Sequence, residues 1–123
     1  MSRCRVVAPA VVRLPLSDGD YLDVQRELNA GQYVELLGAL MDRKPFAKAV
    51  AYLVGWSLVG LDGGPLPYDL DMPEDARRGT LGALDKPTMR EIAAVLDRHE
   101  AAEQATLDAK KKTSAPLLES VPT

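Results

Sequence analysis

The chain has 123 residues, a formal net charge of −3 and a pI near 5.1. That length is one domain at about 100–200 residues each, and the acidic balance excludes charge-driven, nonspecific nucleic-acid binding, which needs a basic face. The single cysteine, Cys4, excludes a disulfide framework and a cysteine metal site, and no apolar run reaches the roughly 20 residues that cross a bilayer.

Residues 1–10 have no period and contain Pro9, so they read as a flexible N-terminal arm. They are too short and too mixed for a signal peptide. From Val11 to Leu28 the pattern is a β-hairpin, with VVRLPL and YLDVQREL flanking the turn Ser17-Asp18-Gly19-Asp20. Leu14 and Leu16 share one face, as do Leu22 and Val24. Pro15 cannot donate to a ladder, so its strand belongs at an edge. A lone hairpin is marginal in water and needs helices under its apolar face.

Asn29 with Gln32 three residues on is a capping box. Tyr33, Leu36, Leu37, Leu40 and Met41 then follow the spacing of one helix face, so a helix is expected over Ala30–Arg43. The next segment organises the reading. In Ala49–Leu61, thirteen residues carry one polar side chain, Ser57. A helix apolar all round must be covered on every side. Pro45–Val59 is therefore expected to be the central helix, stopped by Gly60, Gly63 and Gly64 with Pro65 and Pro67.

A short helix is expected from Met72-Pro73-Glu74-Asp75 to Leu84, weakened by Gly79 and Gly82. Asp85 caps a last helix whose stripe is Met89, Ile92, Ala93 and Leu96. Beyond His99 the stripe fades, so 100–112 reads as a solvated helical extension and 113–123 as a tail. The expected fold is mainly α: a small helical domain, 11–99, around a central apolar helix, with an N-terminal β-hairpin over 11–28.

No catalytic constellation emerges. The only histidine, His99, has one carboxylate on its helix face, Glu103, which is a poor metal site. Cys4 stands between Arg3 and Arg5, but has no second catalytic group. Ser57 is expected to bond to its own helix backbone. The glycines at 60, 63 and 64 lack the lysine and spacing of a phosphate loop, and Asp62, Asp69 and Asp71 lack the alternate ligand positions and closing Glu of an EF-hand. Arg77, Arg78, Arg90 and Arg98 are interleaved with Asp75, Asp85, Glu91 and Asp97, which argues against a DNA-reading helix. The expectation is a protein without enzymatic activity, cofactor or metal, and without a nucleic-acid or membrane partner.

Tyr52 and Trp56 lie four apart, hence on one face of the expected helix. That face is either core or a docking surface. As a docking surface it would comprise Tyr52, Leu53, Trp56, Leu58, Leu61 and Leu66.

The order of features carries a resemblance. Leu14-x-Leu16-Ser17-Asp18-Gly19-Asp20-x-Leu22-x-Val24 leads through Leu28 into a capped helix. Tyr52-Leu53-Val54-Gly55-Trp56-Ser57-Leu58 is followed by Asp62-Gly63-Gly64-Pro65-Leu66-Pro67, and a helix over Leu84–His99 closes the set. This resembles the tail assembly chaperones of long-tailed bacteriophages and related small proteins of the tail gene cluster. The resemblance rests on apolar and turn patterns over most of the domain and neither end. It implies a non-enzymatic factor of the host cytoplasm that binds the tape measure protein, keeps it soluble and helps tail-tube protein assemble around it. Self-association is compatible with it. Many members have a longer, frameshifted form, and Lys110-Lys111-Lys112 is either a slippery site or a solvated helix end favoured by the macrodipole. The alternative is a structural neck or tail subunit of the virion. Behind both stands a small DNA-binding regulator.

Overall fold

The computed structural model describes residues 4–114, with side chains through Lys110. Among them, strand β1 (Val11–Pro15) pairs antiparallel with β2 (Tyr21–Gln25), and α1 (Ala30–Met41) and α2 (Ala47–Tyr52) follow. Then come β3 (Leu53–Trp56), α3 (Glu74–Gly82) and α4 (Lys86–Ser114). Residues 1–3 of the expected arm and 115–123 of the expected tail lie outside the described residues, as do the side chains of Lys111 and Lys112.

The hairpin forms where its pattern places it. Val12 faces Val24 and Leu14 faces Leu22. A short 3-10 turn, Ser17–Gly19, connects the strands, with Asp18 and Gly19 at positive φ. β1 is the sheet edge, so Pro15 interrupts no further ladder. The capping box at Asn29 closes in both directions: Asn29 Oδ1 accepts from the Gln32 amide and Gln32 Oε1 from the Asn29 amide, each at 2.9 Å.

The expectation of a mainly α fold around one central apolar helix is overturned: the fold is mixed α/β. The run expected as a single helix over Pro45–Val59 divides. Its first part is α2; its second part, Leu53–Trp56, is a strand that pairs antiparallel with β2, with a bulge between Asp23 and Val24. The cause is physical. A continuous apolar run bounded by turns suits a buried strand as well as a buried helix. Gly55 weakens a helix by about 1 kcal/mol relative to Ala. An open flank on β2 would leave Leu22 and Val24 half covered. With β3 beside it, β2 becomes the central strand of the sheet β1-β2-β3, and both side chains are fully buried.

The helices cover one face of the sheet. Tyr52, Leu53, Leu81, Ile92 and Leu96 meet Leu22 and Val24 in one cluster. Asp85 caps α4 through its Oδ1, which accepts from the Thr88 amide at 2.7 Å. α4 continues without a break to Ser114, about 44 Å of helix at 1.5 Å per residue. Stretch 100–112 therefore extends the helix that carries Ile92 and Leu96.

Candidate functional site

The structure separates the six expected docking residues. Tyr52, Leu53 and Leu58 are interior. Trp56 and Leu66 are half-buried and meet each other: Trp56 Nε1 donates to the Leu66 carbonyl at 2.8 Å. The Trp56 ring also lies against Tyr68, centroids 4.8 Å apart. The chain's own loop thus closes the Trp56 side. Leu61 alone is wholly exposed. Tyr52 and Trp56 do not share a helix face, because Tyr52 ends α2 and Trp56 ends β3.

The loop from Ser57 to Leu66 is a small closed hairpin. Val59 and Pro65 form a bridge, and the Leu66 amide donates to the Leu58 carbonyl at 2.9 Å. The Gly60 amide donates to the Gly64 carbonyl at 2.8 Å, and Asp62 Oδ1 accepts from the Gly64 amide at 3.0 Å. Gly63 at φ +78° makes the turn, a conformation glycine adopts freely. Leu61 is held at the tip with Val59 exposed beside it. Ser57 is not helical. Its hydroxyl accepts from the Tyr21 amide and donates to Asp20 Oδ1, both at 2.9 Å, and so stitches the end of β3 to the start of β2.

A second polar cluster ties α4 to the rest. Glu103 accepts from the Tyr52 hydroxyl at 2.6 Å and from the Leu28 amide at 2.8 Å. His99 packs edge-on against the Tyr52 ring at 5.4 Å. Its Nε2 donates to the Gln25 carbonyl at 2.9 Å, the tautomer set by an oxygen that only accepts. Burial and the Glu103 carboxylate push the Tyr52 hydroxyl far above the usual tyrosine range. Both groups have structural partners. Among the described residues, no group of three or more His, Cys, Asp or Glu is placed to hold a metal ion.

The surface that sequence reasoning missed is on α1. Its apolar positions were expected to face inward together, yet only Leu36 is buried. Tyr33, Val34, Leu37, Leu40 and Met41 are exposed, Met41 at 83%. At 100° per residue these five span an arc of about 120° that begins about 40° from Leu36, so the exposed apolar surface runs on from the buried position. α1 carries one charged side chain in its 12 residues, Glu35. It therefore carries one broad apolar arc, covered at Leu36 and Ala39 and open over the rest. The single charge was a readable signal of this; the spacing alone was not.

Between α1, α2 and α3 lies a cavity of about 170 Å³. Its lining is mixed: apolar side chains, among them Leu36, Ala39 and Val50, alternate with polar ones, among them Gln32, Glu35 and Arg77. Arg78 pairs with Glu74 at 3.1 Å and donates to the Pro45 carbonyl at 3.1 Å.

Compared with models of known protein families, with curated proteins and with solved structures, the chain matches none.

Proposed function

We propose that this chain is a tail assembly chaperone of a long-tailed bacteriophage, acting in the host cytoplasm by binding apolar helical stripes of the tape measure protein. The observation that carries this reading is the uncovered face of α1. Five exposed apolar side chains on a helix with one charge form the kind of patch that marks a binding surface. A long helical chain exposes apolar stripes until a tube encloses it. A helix laid against α1 would cover such a stripe reversibly, as helix-in-groove binding does. No chemical step is required of the protein.

The stretches that carry the resemblance form the hairpin, β3 with its loop, and the first half of α4. They are scaffold. The surface assigned to the partner, α1, lies between them, and Tyr52, Leu53 and Leu58 serve by holding the core behind it.

The test is co-expression with the product of the longest helical reading frame in the same gene cluster. The wild-type chain is expected to raise the soluble yield of that protein and to co-purify with it. Leu37→Glu with Met41→Glu should abolish both while leaving the circular dichroism unchanged. A double variant that still solubilises the partner, or a wild type that never does, removes this reading. The structural-subunit alternative predicts the chain in stoichiometric copies in purified particles, where a chaperone is absent.

A further inference from the structure

We infer that the free protein is a dimer in which α1 of one copy packs antiparallel against α1 of a second. The face concerned is continuous and carries no charge. Ala30, Val34, Leu37 and Met41 succeed one another at steps of four, three and four residues, the spacing of a coiled-coil seam. Tyr33 and Leu40 flank this seam on one side, Gly31 and Gly38 on the other. All of these positions are exposed. Glu35, the one charged side chain of α1, points about 130° round the helix from the seam.

The pattern selects a second α1 as the occupant. Gly38 weakens the middle of the helix, and nothing within its own copy requires it. A Cβ at Gly38 would have no neighbour within 4 Å, and one at Gly31 would touch only Asn29 Oδ1 at 3.5 Å. Glycine here serves the close approach of another backbone. In an antiparallel pair like edges meet, so glycine faces glycine and the Tyr33–Leu40 edge faces its copy. A parallel pair would set Gly31 and Gly38 against Tyr33 and Leu40. The antiparallel register also puts Ala30 opposite Met41 of the second copy and Val34 opposite Leu37, small against large, which fills space evenly. α1 has no acidic residue in its first turn and no basic one in its last. An antiparallel neighbour supplies that compensation, because the two helix dipoles then oppose each other end to end.

The area is sufficient for a dimer. Tyr33, Val34, Leu37, Leu40 and Met41 keep between 41% and 83% of their surface exposed. At about 150–200 Å² for a whole large side chain, one copy offers about 500 Å² and the pair about 1,000 Å², the size from which a specific contact holds. The same patch serves on both copies, so the assembly closes at two. The dimer shields the face that the chaperone reading assigns to a partner helix, and binding of that helix splits it. Dimerisation is a property of the isolated chain and does not depend on that reading. A dimer that solubilises no partner, or a monomer that does, separates the two.

Sedimentation velocity of the purified full-length chain over a concentration series is the test. The wild type is expected to pass from monomer to dimer and grow no further. Met41→Lys should weaken the dimer by at least about a hundredfold, because each dimer loses two buried methionines. Gly38→Gln should weaken it as well by blocking the close approach. Both variants favour α1 in the monomer, the lysine through the dipole and the glutamine through propensity. Their unfolding midpoints at low concentration should therefore hold or rise, the reverse of a merely structural effect. Leu61→Asp, exposed but off the seam, should leave the dimer intact. Orientation is read on a Cys4→Ser background: Ala30→Cys and Met41→Cys chains should cross-link when mixed, and neither alone. A wild type monomeric at every concentration overturns the proposal. So does growth beyond two copies, undiminished association of Met41→Lys or Gly38→Gln, or cross-linking of either cysteine variant with itself.

Discussion

The Tyr52 hydroxyl, at the end of α2, donates to Glu103 Oε1 at 2.6 Å, and the other Glu103 oxygen accepts from the Leu28 amide at 2.8 Å. One carboxylate thereby joins α2, the segment entering α1, and the second half of α4. Tyr52 is 1% exposed, so its hydroxyl has little access to water. Glu103→Leu removes both acceptors. At about 1–3 kcal/mol per stranded buried group, the expected loss is about 2–4 kcal/mol, read as a lower urea midpoint at unchanged slope. Glu103→Gln should fall between, since its amide nitrogen cannot accept from Leu28. Tyr52→Phe combined with Glu103→Leu should cost less than the sum of the two. Strict additivity would mean that the bond contributes nothing.

Alkaline stability should follow the same hydroxyl. The ordinary tyrosine value is 10.0, and burial first, then Glu103, pushes Tyr52 well above it. Burial also raises Tyr68, opposed by the Arg77 guanidinium beside it. In the unfolded chain both ionise near pH 10. The folded chain then binds more protons than the unfolded one, so stability falls as pH rises. The contribution is complete below pH 10 and is lost progressively above it. The urea midpoint is expected to decline from about pH 10 upward. Tyr52→Phe should start lower at neutral pH and decline less steeply. Equal slopes in the two proteins would contradict this origin.

Trp56 anchors the loop. Trp56→Ala removes the ring from Tyr68 and leaves the Leu66 carbonyl without its donor. Complete burial makes such a change worth about 3–5 kcal/mol; for a half-buried ring about 2–4 kcal/mol is expected. Circular dichroism is the readout, because the variant has no tryptophan left to fluoresce. Trp56→Phe keeps the ring contact and should recover part of the loss.

Local chemistry was legible where one residue type dictates one conformation. The turn at Ser17–Gly19, the capping box at Asn29, the N-cap at Asp85 and the edge position of Pro15 all follow from side-chain size and hydrogen bonding within a few residues. The run from Phe46 to Leu61 was not legible, because full burial erases the alternation that tells a strand from a helix. Only the vacancy beside β2, a tertiary fact, decides for β3. The exposed face of α1 failed for a related reason. A stripe at helical spacing says that a face is apolar, not that anything covers it. Likewise, a leucine in a glycine-rich loop looks like any other loop residue, until the bridge from Val59 to Pro65 fixes it at a tip.

Arg43 offers a separate check on the end of α1. The Lys44 amide donates to the Ala39 carbonyl at 2.9 Å and the Arg43 amide to the Leu40 carbonyl at 3.1 Å. That pair of bonds is a Schellman motif, which wants a left-handed residue after the cap. Arg43 occupies that position at φ 55°. A side chain there costs roughly 1–2 kcal/mol that glycine does not incur. Glycine also loses more backbone freedom on folding, which takes back part of the gain. Arg43→Gly is therefore expected to stabilise by about 0.5–1 kcal/mol. Arg43→Ala, which keeps the Cβ, should show no such gain, and Arg43→Asn should lie between. The three unfolding midpoints must rank Gly, Asn, Ala; an alanine variant as stable as the glycine one would show that the gain came from losing the Arg43 charge and not from backbone geometry.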